Sequence, residues 1–595
     1  MITKKQITIS VLFWIAALVF FVIFHIWGAS LIDAMFHNRS YSFLNQLIHH
    51  RDSQPLSAYI QKVNHYATII TISLLLLSFV PYLWEMSIRA RRYMLKSEAK
   101  FAQPVIFVTF LLIALLFRTP FFFQSVIDWD ESTFILMGQS VLDGHLPYIE
   151  LWDVKPPLAF VPFAVFIWLF GHSVVGIRIA GTIYLAGVAF LTHRTAENLW
   201  GRLAGLFSGI LTIAFISLVT GGQAVMTEIL TLLPLQGALF IAVKQRKMPN
   251  AFFFIGFLIS IATLIRLNLA YLVVTIGLFI LLHGILMERR LPLKKLFLYV
   301  IGGLIPLALV CLPYIFSGHL DILYASAVLA PLQYSQSWNS ATDSLLFHLG
   351  TGFGAGNVLL WGGLVAGVVM CIHNRGRCYE INRQGILMIM VFFIGTALSI
   401  INNGAAFYQH FILIIGLLSL PAGFFYSSLF GHRFKKAIAL IFAVCLVISS
   451  YSNLREYKQL ALQILFDAPL MSDEGYRLAA YLREVNKEHK PIYLMEYNIA
   501  YWLTGTKPIT KIVTHPDNIG RPYLIKAVEG PDASAETELK KIFNQNPLFV
   551  VKKDSEPYLK DDTNAEAFLN DTLGKDYETI KNIGSLLVYK RKSDT

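Results

Sequence analysis

Runs of about twenty apolar residues recur through the first three quarters of the chain, each close to the length that crosses ~30 Å of hydrocarbon. They predict spans near 7–27, 66–84, 103–122, 174–193, 202–220, 224–243, 251–265, 269–286, 296–316, 350–371, 385–402, 411–428 and 436–450. After about residue 453 the pattern changes. Amphipathic helical periodicity at 473–489 and 534–545 alternates with strand-like stretches at 491–496, 547–553 and 585–591, which predicts a small soluble α/β domain. The expected organisation is two N-terminal helices in 1–100, a transmembrane body in 101–450 and a soluble domain in 451–595.

One polar island interrupts the apolar pattern. Residues 128–157 hold Asp128, Asp130 and Glu131 at their start, Asp143 and His145 in the middle, and Asp153, Lys155, Pro156 and Pro157 at their end. Residues 132–142 predict a short interfacial helix that stops at the Asp143-Gly144 turn. The apolar stretch 157–171 is too short to span and starts with two prolines, which suit a first helical turn because no N–H is needed there. It predicts a helix in the outer interface. A second polar stretch, from Ser317 to about His348, predicts an external loop.

Composition agrees with a membrane protein. Of the 595 residues 55% are hydrophobic and only 14% charged, against about 25% charged in soluble domains. The formal net charge of +12 is carried by short loops before Ser450, such as Arg89–Lys100, Lys244–Lys247, Arg289–Lys295 and Arg433–Lys436. That is a positive-inside distribution rather than a nucleic-acid footprint. With about thirteen spans it places the N-terminus in the cytoplasm, and puts the island and everything after Tyr451 outside. The four cysteines fall in apolar segments or a basic loop, so neither a disulfide framework nor a zinc spacing is implied.

The charged groups near the outer face are the candidate chemistry. Asp130 and Glu131 are adjacent, so one carboxylate can face a substrate while its neighbour orients the loop. Desolvation at an interface raises carboxylate basicity and suits such a group, or Asp128, to take a proton from a hydroxyl. Lys155 before a helix N-terminus makes an anion site suited to phosphate. Glu228 lies in an apolar run about six residues after Gly221-Gly222, roughly 9 Å into its span at 1.5 Å per residue. Arg266 and His410 fall at the outer ends of their spans, and a Glu228–Arg266 ion pair is an alternative to any catalytic use of either. No Gly-rich nucleotide loop is evident, and the external side lacks nucleotide sugars, so chemistry there is expected to use a lipid-borne activated donor.

The run DWDE…DGHLPYIELWDVKPPL resembles the first external loop of the GT-C membrane glycosyltransferases that use polyprenyl-phosphate sugars, a superfamily that includes protein O-mannosyltransferases and an aminoarabinose transferase. The likeness covers roughly residues 101–450, with 118–172 as the active-site loop. It implies a GT-C-type polytopic α-helical fold with a C-terminal extracytoplasmic α/β domain, in a bacterial inner or plasma membrane. It implies transfer, with inversion, from a polyprenyl-phosphate-linked sugar to a lipid, glycan or protein acceptor on the extracytoplasmic side, in contact with membrane lipids and without nucleic acid. Asp130 and Glu131 match the family's catalytic pair, Lys155 its lysine before proline, and Glu228 a second active-site acid; Arg266 stands where some relatives carry lysine. Lys155 and Arg266 would hold the donor phosphate, with Asp128, Asp153, Glu228 and His410 lining the substrate site. No cofactor is implied as required, and a divalent ion among the acids stays an alternative. The competing readings are a transporter or flippase of lipid-linked sugars and an oligosaccharide polymerase or ligase.

Overall fold

The structure is a computed structural model that describes residues 102–592, apart from all or most of 245–249, 337–359, 366–374, 403–406, 430–448, 514–518 and 554–561. The expected spans 7–27 and 66–84 lie outside the described residues, as do about two thirds of 350–371 and much of 436–450. Among the described residues, 102–106 and 450–468 fall in a first compact unit, and 107–449 with 469–592 in a second.

The described chain opens with helix α1, over Ala102–Arg118. Then follow α2 (Trp129–Leu142), α3 (Val161–Phe170), α4 (Val174–Trp200), α5 (Arg202–Leu218), α6 (Thr227–Lys244), α7 (Ala251–Ile265), α8 (Ala270–Leu286) and α9 (Leu293–Ser317). Short helices α10 (Leu320–Tyr324) and α11 (Ala330–Gln336) precede α12 (Arg375–Ile401) and α13 (Ile412–Leu429). Among the described residues seven helices are long and apolar enough to cross a membrane: α1 with its following turn, α4, α6, α8, α9, α12 and α13. The chain is an integral membrane protein. Helices α5 and α7, expected as spans, are apolar but shorter.

Local chemistry explains where these helices stop. The 157–193 region breaks because Gly171 takes φ +72° and Ser173 then accepts the Gly176 N–H at 3.1 Å, capping α4. Helices α5 and α6 are separated by an unwound segment whose Gly222 leaves no room for a side chain: an added Cβ would lie 1.9 Å from the Ile216 carbonyl oxygen. The polar stretch after Ser317 is largely helical as far as Gln336, joined through a π-helical turn at Ala325–Leu329, rather than an irregular loop.

Helix α14 (Tyr451–Leu465) belongs to the first unit. The C-terminal region of the second unit holds α15 (Glu474–Val485), β1 (Ile492–Leu494), α16 (Ile499–Thr504), α17 (Pro522–Glu529), α18 (Ala535–Asn544), β2 (Phe549–Lys553), α19 (Thr563–Asp576), β3 (Tyr577–Ile583) and β4 (Leu586–Arg591). The sheet order is β1-β2-β4-β3, with β1 and β2 parallel and the other pairs antiparallel. Its apolar core is continuous with that of α2 and α3: Leu478, Ile492, Trp502 and Phe549 join Phe134, Trp152, Phe160 and Phe163 in one buried cluster. The sheet domain therefore sits against the polar island.

Candidate active site

Asp128 starts the site. Its Oδ1 accepts the Asp130 N–H at 3.0 Å, so it is the N-cap of α2 and places Asp130 and Glu131 in the first helical turn. The two neighbours then diverge, as the angle between successive helical residues requires. Asp130 keeps about a third of its side chain exposed and lies 3.7 Å from the Lys155 ammonium. Glu131 turns inward to a buried ion pair with Arg178 at 2.6 Å, and accepts the Val225 N–H at 2.7 Å. Both oxygens of Glu131 are thus engaged inside the protein.

Arg178 does more than neutralise Glu131. It also donates to the carbonyl of Phe121 at 2.8 Å and to that of Gln124, which fixes the strand of chain leading to Asp128. Arg118, at the end of α1, donates to the carbonyls of Gly222 at 2.5 Å and Gln223 at 2.6 Å. Two buried guanidinium groups therefore satisfy the main-chain oxygens of the two unwound segments that meet beside Asp128. Neither arginine was anticipated from the sequence, although Arg178 in the run VVGIRIAG is a charge inside an apolar span, which is itself a signal.

The unwound segment shortens α6 from its expected start, so Glu228 lies in the first turn of the helix rather than deep within the span. Arg266 pairs with it at 2.5 Å and also donates to Thr227 at 3.0 Å; both charged groups are buried. The expected ion pair is present. Asp153 is buried as well, and its Oδ1 accepts the Lys155 N–H at 3.0 Å, so it shapes the turn that carries Lys155. Tyr148 supports the same turn by donating to the Lys155 carbonyl at 2.6 Å. The Lys155 ammonium lies 5.7 Å from the centre of the Phe134 ring. His410 is buried in a short turn before α13. That turn closes on the acids: a Cβ added at Gly221 would lie 3.5 Å from Asp128 Oδ2 and 3.7 Å from the Cβ of Gln409.

The electrostatics of this cluster single out Asp128. Burial, reinforced by the negative charge of Asp130, raises its carboxyl to about 7, a value at which it exchanges a proton readily near neutral pH. Among the described residues no three His, Cys, Asp or Glu side chains gather as a metal site.

Residues 154–315 match the family model described as dolichyl-phosphate-mannose-protein mannosyltransferase. No curated protein matches the sequence. The fold is similar to that of ArnT from Cupriavidus metallidurans in the apo state, with a TM-score of 0.54 and 12% identity over 81% of this chain and 97% of that one. The archaeal oligosaccharyltransferase AglB from Archaeoglobus fulgidus, in complex with an inhibitory peptide and a dolichol-phosphate, gives a TM-score of 0.45 and 11% identity, covering 83% of this chain and 74% of that one. Over residues 154–315 the chain is thus similar to a mannosyltransferase family, and its fold is similar to that of ArnT.

Proposed function

We propose that the protein transfers a sugar from a polyprenyl-phosphate donor to a hydroxyl-bearing acceptor at the extracytoplasmic face of the membrane, inverting the anomeric configuration. The observation that carries this reading is the pairing of Asp130 with Lys155 beside Asp128: a cation for a phosphate and two carboxyls for a hydroxyl, in one small region. The family matched by residues 154–315 bears a polyprenyl-phosphate sugar in its name, which supports the donor class.

In the proposed reaction the acceptor oxygen attacks the anomeric carbon as the bond from that carbon to the phosphate oxygen breaks. The electron pair leaves with polyprenyl phosphate, and the Lys155 ammonium stabilises the developing charge. Asp130 orients the acceptor hydroxyl, and Asp128, in its ionised form, accepts its proton. Glu228, paired with Arg266, adds negative charge near Asp128, Asp153 holds the turn that carries Lys155, and His410 lines the substrate site. The island and the sheet domain face the extracytoplasmic side, with the N-terminus in the cytoplasm, as the positive-inside distribution indicates.

The test is turnover by the purified protein in nanodiscs, using a panel of polyprenyl-phosphate sugars and a membrane extract as acceptor. Release of polyprenyl phosphate matched by a glycosylated product of inverted configuration supports the reading. Donor movement across the bilayer with no bond broken would overturn it in favour of a flippase.

A further inference from the structure

The acids of the island are held from the sheet domain at three points spaced four residues apart. At the first, Asp473 caps α15 through Oδ1 and the Tyr476 N–H at 3.2 Å, while its Oδ2 accepts the Ser125 N–H at 2.6 Å. This is a charge-assisted bond to the main chain three residues before Asp128. The contact is close enough to exclude any side chain at Gly475, where a Cβ would lie 2.3 Å from Ser125 Oγ.

The second point is Trp129, the residue between the two aspartates. Its ring meets that of Tyr497 edge to face at 5.2 Å, and the Lys553 ammonium lies 5.6 Å from its centre. Tyr497 holds a left-handed backbone conformation, φ +54°, which is strained for an aromatic residue. Its hydroxyl donates to Glu474 at 3.0 Å, and Glu474 is fixed in turn by the Ser585 N–H at 2.8 Å. At the third point Asn498 donates to Thr133 Oγ1 at 3.0 Å in a buried contact one turn into α2. The strained residue and the charged bond to the loop's main chain both bear on the segment that carries the acids.

We propose that the sheet domain is part of the active site, and that Asp473 and Tyr497 are positioning residues that set where Asp128 and Asp130 stand. The inference rests on the catalytic reading of those two acids, and its test is separable from that reading. Hydrogen exchange of the full-length protein in nanodiscs follows the amides of residues 122–134 in wild type, Asp473→Ala, Tyr497→Gly and Tyr497→Phe. Asp473→Ala and Tyr497→Gly accelerate exchange there by about tenfold or more, while the amides of α18 and β2 are unchanged. Glycine relieves the left-handed strain at 497, so the Tyr497→Gly melting temperature does not follow the loss of protection. Tyr497→Phe, which keeps the ring, retains wild-type protection. In the transfer assay Tyr497→Gly lowers kcat by about a hundredfold with the donor KM unchanged. Unchanged exchange at 122–134 in both Asp473→Ala and Tyr497→Gly overturns the inference, whatever the activity. Absence of transfer by the wild type would instead sink the reaction, while the exchange data still decide the positioning role.

Discussion

Glu131 and Arg178 form a buried ion pair at 2.6 Å, while Asp130, one residue earlier, reaches out to Lys155 at 3.7 Å. Two adjacent acids are thus assigned opposite directions by one helical turn. Breaking the inner pair strands a charge on a buried side chain. Arg178→Ala should cost about 3–5 kcal/mol of stability and sharply lower the amount of folded protein. Asp130→Asn, at a partly exposed group, should leave the melting temperature within about 0.5 kcal/mol of wild type in equivalent stability. Thermal unfolding of the two variants in one detergent checks both.

The raised carboxyl of Asp128 predicts a pH dependence in two observables. Transfer that needs Asp128 ionised should rise through about pH 7, and kcat/KM measured from pH 5 to 9 should show that limb. Stability should run the other way. In the unfolded chain the group ionises near ~4, and in the folded protein only near 7, so its contribution is fully present at the lowest pH and is lost as pH rises through 7. Asp128→Asn should therefore melt higher than wild type at pH 8, with the gain shrinking toward pH 4.

Lys155 is predicted to act on the donor. Lys155→Gln should raise the donor KM or lower kcat/KM by about 10–100-fold, the value of one charge-assisted contact to phosphate, and Lys155→Arg should recover part of it. Equal losses with a donor lacking its phosphate charge would contradict that role. Kinetics with donor and acceptor varied separately make the distinction.

Glu228 and Arg266 should behave as a coupled pair. Glu228→Gln and Arg266→Met each leave a buried partner uncompensated, so the double variant should be less damaged than the sum of the singles by about 1–3 kcal/mol. A double-mutant cycle in thermal stability measures the coupling.

Much of this architecture was legible in the apolar pattern, because spans and amphipathic elements are written at fixed periods. The short helix ending at Asp143-Gly144, the proline-led helix after the island and strands β1, β2 and β4 all fall where that pattern puts them. The start of α6 was not legible. Its apolar run continues through residues 223–226, and only the Arg118 bonds to Gly222 and Gln223, a hundred residues away in sequence, show why those residues unwind. Strand β3 was missed for a different reason: YETIKNI is polar on most of its length, since only its two ends are buried. In the site, the acids and Lys155 could be picked out by their chemistry, but Arg178, Asp473 and Tyr497 act through contacts that no local spacing encodes.

The central claim is that Asp130 and Lys155 mark a glycosyl-transfer site rather than a solvated loop. Its most direct test is transfer from a polyprenyl-phosphate sugar by wild type and Asp130→Asn side by side, with melting temperature and donor binding measured on the same samples. The account predicts that Asp130→Asn folds and binds donor as wild type does, yet releases no polyprenyl phosphate and forms no product. Turnover at the wild-type rate in that variant would contradict it.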